Sequence, residues 1–348
     1  MREAEKPKSK IVFKIAALIL AVTLFLTGVF PPFTSTAQAT VLGPSSDPLY
    51  QQSVGSAAVL SATITADDNF TYLMLTSTQR LTFSFDWVRT VVSINIHEAN
   101  SFPSVVHMNT NPLFTSAHWS GNTINLTLTG PDRFLGYHGY YDSGGNLIIR
   151  FRNPPSSMSV ARIVIDPGHG GRDRGAEGFN RDLPESVVNQ QMARFLADEL
   201  RARGATVLVL DTFTHGMELS ERVRQAEQFN ADFLISVHNN ASRNAAARGT
   251  EVYFFTQFSN VLAGTISREV SQQLGTENRR ARRARFLVTR SPQFASVLVE
   301  AGFMTNRAEY EKLITPQYQQ AVAVGIADAI DIVIHHTYPG TGRLFRAG

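Results

Sequence analysis

Two histidines and two glutamates stand where a hydrolytic metal site would need them. His169 lies in the turn Asp166-Pro167-Gly168-His169-Gly170-Gly171, His238 opens His238-Asn239-Asn240, and Glu300 opens Glu300-Ala301-Gly302-Phe303. Each follows a short apolar run that reads as a β-strand, while Glu185 stands at the start of a long helical stripe. Two imidazoles and one carboxylate make the open three-ligand zinc set, whose fourth position takes water, and a further carboxylate can handle protons. The chain has no cysteine, so a thiolate metal site, a cysteine nucleophile and a disulfide framework are all excluded. Taken singly, each residue has a plainer reading. A histidine near a turn commonly only hydrogen-bonds, and a glutamate opening a helix is favoured by the helix dipole. The joint placement at three strand ends and one helix start is what points to a site.

The elements that must bring these residues together follow from periodicity. Arg162–Ile165 is a short apolar run, and Glu185–Arg203 carries Val188, Met192, Phe195, Leu196 and Leu200 as a helical stripe closed by Gly204. Strands are predicted at Thr206–Leu210, Phe233–Val237, Glu251–Phe255 and Ser296–Val299, and helices at Glu218–Phe229, Ser259–Leu274 and Ala321–Ile334. Alternating strands and helices predict an α/β domain over 160–336, a largely parallel sheet flanked by helices, with ligands at the carboxyl ends of its strands.

Before it, the period is two. Thr71–Thr76, Leu81–Phe85, Val91–Ile96, Thr123–Thr129 and Asn146–Phe151 alternate apolar and polar residues between Gly- and Asn-containing turns. These predict a small all-β domain over 41–155, joined by a linker at Asn153-Pro154-Pro155-Ser156-Ser157. His97, His107, His118 and His138 share no metal-ligand spacing there. Trp87, Trp119, Tyr137, Tyr140 and Tyr141 read either as core and rim aromatics or as platforms for a sugar ring.

The first 39 residues read as a secretory signal peptide: a basic start, an apolar run from Ile15 to Phe30, and Ala37-Gln38-Ala39 as the cleavage signal. An uncleaved anchor is the rival reading. The chain has 348 residues, 43% hydrophobic and 18% charged, which excludes collagen-like, coiled-coil and wholly disordered classes and suits two domains. The formal charge is +3, from 32 Lys and Arg against 29 Asp and Glu. Five of those basic residues and two of the acidic ones lie in residues 1–39, leaving 27 against 27. The charge is therefore a targeting feature and gives no reason to expect a nucleic-acid partner. Residues 337–348 read as a disordered tail.

Three segments then carry a resemblance. IVIDPGHGGRDRGAEG (163–178), LSERVRQAEQFNADFLISVHNNA (219–241) and VLVEAGFMTNRAEYEKL (297–313) closely resemble the zinc-dependent N-acetylmuramoyl-L-alanine amidases of bacterial cell walls, over about half the chain. The resemblance implies one Zn2+ per chain, with His169, Glu185 and His238 as ligands and Glu300 as the catalytic carboxylate. It implies peptidoglycan as substrate, with the amide between N-acetylmuramic acid and L-alanine as the bond cut. Where the family commonly has Lys-Asp after the ligand glutamate this chain has Ser186-Val187, and Asp173-Arg174-Gly175 replaces Asp-Pro-Gly. The first departure leaves Glu177 as a rival ligand to Glu185.

Further expectations follow. Asn239 or Asn240 could bind substrate. Among Arg279, Arg280, Arg282, Arg283 and Arg285, Arg283 is the candidate for a stem-peptide carboxylate, a solvated face being the alternative. Arg222 should pair with a nearby carboxylate as a structural residue. The β-domain would localise the enzyme to the wall, an exported location with no stable membrane insertion after signal cleavage. Only 256–290 is long enough to hide an autoinhibitory helix. The competing functions are a catalytically silent wall-binding protein and a zinc peptidase cutting within the stem peptide.

Overall fold

The computed structural model of the protein describes residues 57–130 and 133–336. The segments read as signal peptide and as tail lie outside the described residues, as does 41–56.

The amino-terminal half is built of strands β1 (Ala57–Ala66), β2 (Phe70–Ser77), β3 (Phe83–Val88), β4 (Val91–Ile96), β5 (Ala99–Ser101), β6 (His107–Met108), β7 (Phe114–Ser120), β8 (Thr123–Leu128), β9 (Tyr137–Tyr141) and β10 (Leu147–Arg152). One sheet runs β5-β1-β2-β10-β9 with β6 beside β1, and the other runs β3-β4-β8-β7. Strands β2, β4 and β8 alternate buried with half-buried residues, as expected for sheets that bury a single face. The buried faces meet through aromatic rings: Phe85 of β3 stacks on Tyr137 of β9 at 4.0 Å between centroids, and Phe114 of β7 meets Phe151 of β10 edge-on at 5.1 Å.

The carboxyl-terminal half comprises β11 (Arg162–Pro167), α1 (Glu185–Ala202), β12 (Thr206–Val209), α2 (Leu219–Gln228), β13 (Phe233–Asn240), β14 (Thr250–Phe254), α3 (Asn260–Leu274), β15 (Asn278–Arg283), β16 (Ala295–Phe303), α4 (Arg307–Leu313) and α5 (Pro316–His336). The sheet order is β12-β11-β13-β16-β14-β15. Strands β11, β13 and β16 are apolar without alternation because both their faces are covered. Ile163, Ile165, Ile235 and Val297 enter the main core, while Val164, Leu234 and Leu298 enter a smaller one. Helices α1 and α3 pack on the first face together with α5, while Ala226 of α2 joins the second core.

The sheet is mixed: among its pairings one is antiparallel, a feature that the expectation of a largely parallel sheet did not contain. β14 lies antiparallel to β16, whereas β11 pairs in parallel with β12 and β13, β13 with β16, and β14 with β15. The physical reason is the connection between β13 and β14. Residues 241–249 hold no helix, and a parallel return needs a crossover of a dozen or more residues.

The two halves share one core. Phe134 lies 5.4 Å from the Phe85 ring on one side and 5.3 Å from the Phe258 ring on the other. The Tyr137 amide donates to the Pro292 carbonyl at 2.6 Å, and the buried Arg152 and Asp232 pair at 3.4 Å. Asn153, Pro154 and Pro155, read as a linker, are buried at this junction.

Candidate metal centre and active site

The site sits where β11, β13 and β16 end, beside the start of α1. Below it a buried ion pair fixes the β11 turn. Arg222, from α2, donates to Asp166 Oδ1 at 2.7 Å, and Ser236 Oγ donates to Asp166 Oδ2 at 2.8 Å. The same guanidinium reaches the carbonyls of Pro167, His169 and Met217, each at 3.1 Å. It therefore serves as the structural clamp expected of it, holding His169 in place from beneath. His169 itself adopts a positive φ of 65°, a conformation that costs a non-glycine residue energy and persists only where its surroundings enforce it.

Around Glu185 the chemistry converges. His169 turns Nε2 to Glu185 Oε2 at 3.1 Å, and His238 turns Nδ1 to Glu185 Oε1 at 2.9 Å. One ligand atom from each of the three residues lies within 4.8 Å of the others. Glu185 is buried and opens α1, where the helix dipole favours a carboxylate. Backbone amides of Ala176 and Asn239 donate to its two oxygens at 2.9 and 3.1 Å, and Asn189 Nδ2 donates at 3.2 Å. Asn239 Nδ2 in turn donates to Asn189 Oδ1 at 2.8 Å. Two glycines make the space. A Cβ on Gly168 would stand 2.3 Å from the His238 ring, and one on Gly175, whose φ is +68°, would stand 2.6 Å from Glu185 Oε2.

Electrostatics follow from this crowding. Burial opposes the charge on His169, but the carboxylates of Glu185 and Asp173 outweigh it and hold its pKa up at about 9. His238 is likewise raised against its burial by Glu185 and Glu300. Burial would raise Glu185, yet the two imidazoles hold it far below the usual carboxylate range. Glu300 is pushed up to about 7 by burial, with His238 opposing and the charges of Glu185 and Glu251 adding to the rise. Its Oε2 is buried with no hydrogen-bond partner among the described residues. Across the sheet His238, Glu300 and Glu251 stand side by side in register.

These groups open into a cleft of about 590 Å³ lined by His169, Glu185, His238, Asn240 and Glu300 together with an apolar flank. The four residues singled out from the sequence are thus brought together. Others are placed differently. Asn239 is 1% exposed and spends its amide on Asn189, so it braces Glu185. Both Asn239 and Asn240 line the cleft. Arg283 lies on β15, the outer strand of the sheet, where its Nε donates to the Phe255 carbonyl at 3.0 Å; it is not among the cleft-lining residues. Glu177 pairs with Arg174 at 3.4 Å on the surface, away from the cluster. In the β half, Trp87 packs on Phe134 and Trp119 on Phe102, as core and rim aromatics do.

Sequence reasoning missed two participants. Asp173 Oδ2 lies 2.8 Å from His169 Nδ1, and its signal was an acid four residues past a histidine in a glycine turn. Glu251 is buried beside Glu300, held by Arg279, by Arg282 at 3.7 Å and by the Tyr253 hydroxyl at 2.6 Å. An acid at the start of a β-branched and aromatic strand was its only mark.

The family profile of N-acetylmuramoyl-L-alanine amidases (Amidase_3) matches residues 163–331. An uncharacterized protein of Bacillus subtilis (strain 168), YqiI, is 36% identical over 173 residues, 49% of this chain and 82% of YqiI. The N-acetylmuramoyl-L-alanine amidase LytC of the same organism is 35% identical over 197 residues, 53% of this chain and 39% of LytC. Among solved structures, the catalytic domain of CwlV, the amidase of Bacillus (Paenibacillus) polymyxa var. colistinus, shares 32% identity over 49% of this chain and 96% of its own, with a TM-score of 0.48. The chain belongs to the N-acetylmuramoyl-L-alanine amidase family, and its α/β half carries that enzyme class. No helix of the described residues is long and apolar enough to cross a membrane.

Proposed function

We propose that the protein is an exported zinc hydrolase that cleaves the amide bond between N-acetylmuramic acid and the L-alanine of peptidoglycan stem peptides. One observation carries this reading: His169 Nε2, Glu185 and His238 Nδ1 converge beside Glu300 in a cleft. The donor set fits zinc. Two imidazoles and a carboxylate are the open catalytic ligand set, and glycines at 168 and 175 leave the room their Cβ atoms would fill. The orphaned Oε2 of Glu300 fits a proton acceptor poised for a partner outside the protein.

When held by His169, Glu185 and His238, the ion supplies Lewis acidity, acidifying water and polarising the lactyl carbonyl of muramic acid. Glu300 takes the proton from the attacking water and delivers it to the departing alanine nitrogen. Asp173 keeps the His169 ring turned so that Nε2 faces the cleft, and Asn189 and Asn239 keep Glu185 from swinging. The basic, apolar and small-residue pattern of residues 1–39 supports export. Residues 41–155 are read as a wall-targeting β-domain and 160–336 as the catalytic domain.

Metal analysis of two variants tests the assignment. His169→Ala should lose both zinc and activity. Glu300→Ala should lose activity while holding about one equivalent of zinc. A His169→Ala protein that kept its metal would break the ligand set, and a Glu300→Ala protein without metal would make Glu300 a ligand.

A further inference from the structure

One flank of the cleft is apolar and carries two exposed side chains, and neither the metal ligands nor Glu300 draws on it. It is formed by Leu219 at the start of α2, Phe286, Leu287, Val288 and Leu298. Leu219 and Phe286 are 48% and 38% exposed, so both offer apolar area that a ligand in the cleft could bury. The Phe286 ring is well supported. It meets Tyr253 edge-on at 5.1 Å between centroids, and the Tyr253 hydroxyl is tied to the buried Glu251 at 2.6 Å. Its backbone carbonyl accepts from Thr289 Oγ1 at 2.9 Å and from the Thr289 amide at 3.1 Å, and Thr289 is itself fully buried. Behind it Val288 and Leu298 belong to the smaller core. The ring is therefore a fixed platform that has little rotamer freedom left to lose on binding.

Register places this platform relative to the bond cut. Ser236, Leu298 and Tyr253 form one cross-strand row, and His238, Glu300 and Glu251 form the next but one. Leu298 and Glu300 share a face of β16, about 7 Å apart along the strand. An apolar surface thus begins one sugar-ring width from the carboxylate that would move the proton.

We propose that the flank built on Phe286 and Leu219 is a saccharide subsite, which seats the muramic acid ring on the Phe286 face while the stem peptide leaves by the polar side of the cleft past Asn240. This inference rests on the amidase reading of the site. A pyranose ring offers a face of C–H bonds that packs against an aromatic ring, and the saccharide side of the scissile amide is uncharged near the bond. The stem peptide carries carboxylates, for which this flank holds no partner.

Two substrates with the same scissile bond separate the possibilities: an N-acetylmuramoyl-L-alanyl peptide, and the D-lactoyl-L-alanyl peptide left when β-elimination removes the sugar. The zinc-loaded full chain should prefer the muramoyl substrate in kcat/KM by about tenfold or more, the scale of one good apolar pocket contact. In Phe286→Ala that preference should collapse towards one. Phe286→Trp should retain it, and Leu219→Ala should reduce it in part. Zinc content and Tm of each variant show whether it is folded and loaded. An unchanged preference in Phe286→Ala, or equal losses on both substrates, would overturn the subsite. Cleavage of neither substrate by the zinc-loaded parent would instead sink the amidase reading, and the subsite with it.

Discussion

At the residue scale, the site depends on how Glu185 is held. Both its oxygens are committed, to two imidazoles, two backbone amides and the Asn189 amide, and the opening of α1 leaves it little freedom. The motif departure at Ser186-Val187 made Glu185 the least secure ligand on sequence, but the local geometry depends on Asn189, four residues on along the same helix face. Asp173 belongs to the same logic. By accepting from Nδ1 it fixes which nitrogen of His169 is free. Asp173→Asn should therefore weaken zinc binding by about tenfold to a hundredfold, read by chelator competition, and unchanged affinity would remove Asp173 from the site. Arg222→Met leaves Asp166 buried without its cation, and breaking such a pair costs about 3–5 kcal/mol. Denaturant unfolding of the metal-free chain should show it. A loss under about 1 kcal/mol would mean that Ser236 and water satisfy Asp166 unaided.

At the element scale, what was legible was whatever buries two faces or a stripe. β11, β13 and β16 are apolar runs, and α1 carries Val188, Met192, Leu196 and Leu200 at helical spacing, so the strand ends that carry the site could be located from sequence. Elements at the margin could not. β15 is Asn-Arg-Arg-Ala-Arg-Arg, an outer strand with a single apolar residue, Ala281, turned towards the core under α3, too little for a strand period to register. β1 is alanine-rich, β9 is five residues with a glycine, and α4 is seven residues, too short for a helical period to register. The direction of β14 was not legible because it depends on a connection, not on a composition. Nor was a blocking helix found in 256–290: α3 packs on α5 and on the strands beside it, and β15 completes the sheet. Gly168 sets the room at the end of β11, since a Cβ there would strike the His238 ring. Gly168→Ala should lower zinc affinity and activity together while costing about 1–3 kcal/mol of stability, the usual range for overpacking. Undiminished zinc affinity would show that the ring has room to move.

At the scale of the whole molecule, two halves of different period share a continuous buried cluster. Phe134 bridges them, touching aromatic rings of both, and the Asn153–Pro155 junction is buried with it. The change of period was visible in the sequence, but the shared core was not, since nothing in a β-domain reveals which of its aromatics face a neighbour. Phe134→Ala should lower stability by about 3–5 kcal/mol and lower the unfolding midpoint of both halves together, followed by tryptophan fluorescence, since both Trp87 and Trp119 lie in the β half, alongside activity loss from the α/β half. Separate midpoints would mean two independently stable units. The central claim, that this assembly hydrolyses the muramoyl–alanine amide with a metal, is tested most directly on the natural polymer. Residues 40–348 are incubated with purified peptidoglycan, with and without a chelator, and the released ends are identified by mass spectrometry. New L-alanine amino termini that disappear with chelator are the predicted result. New ends within the stem peptide, or none from a protein that still holds zinc, would contradict it.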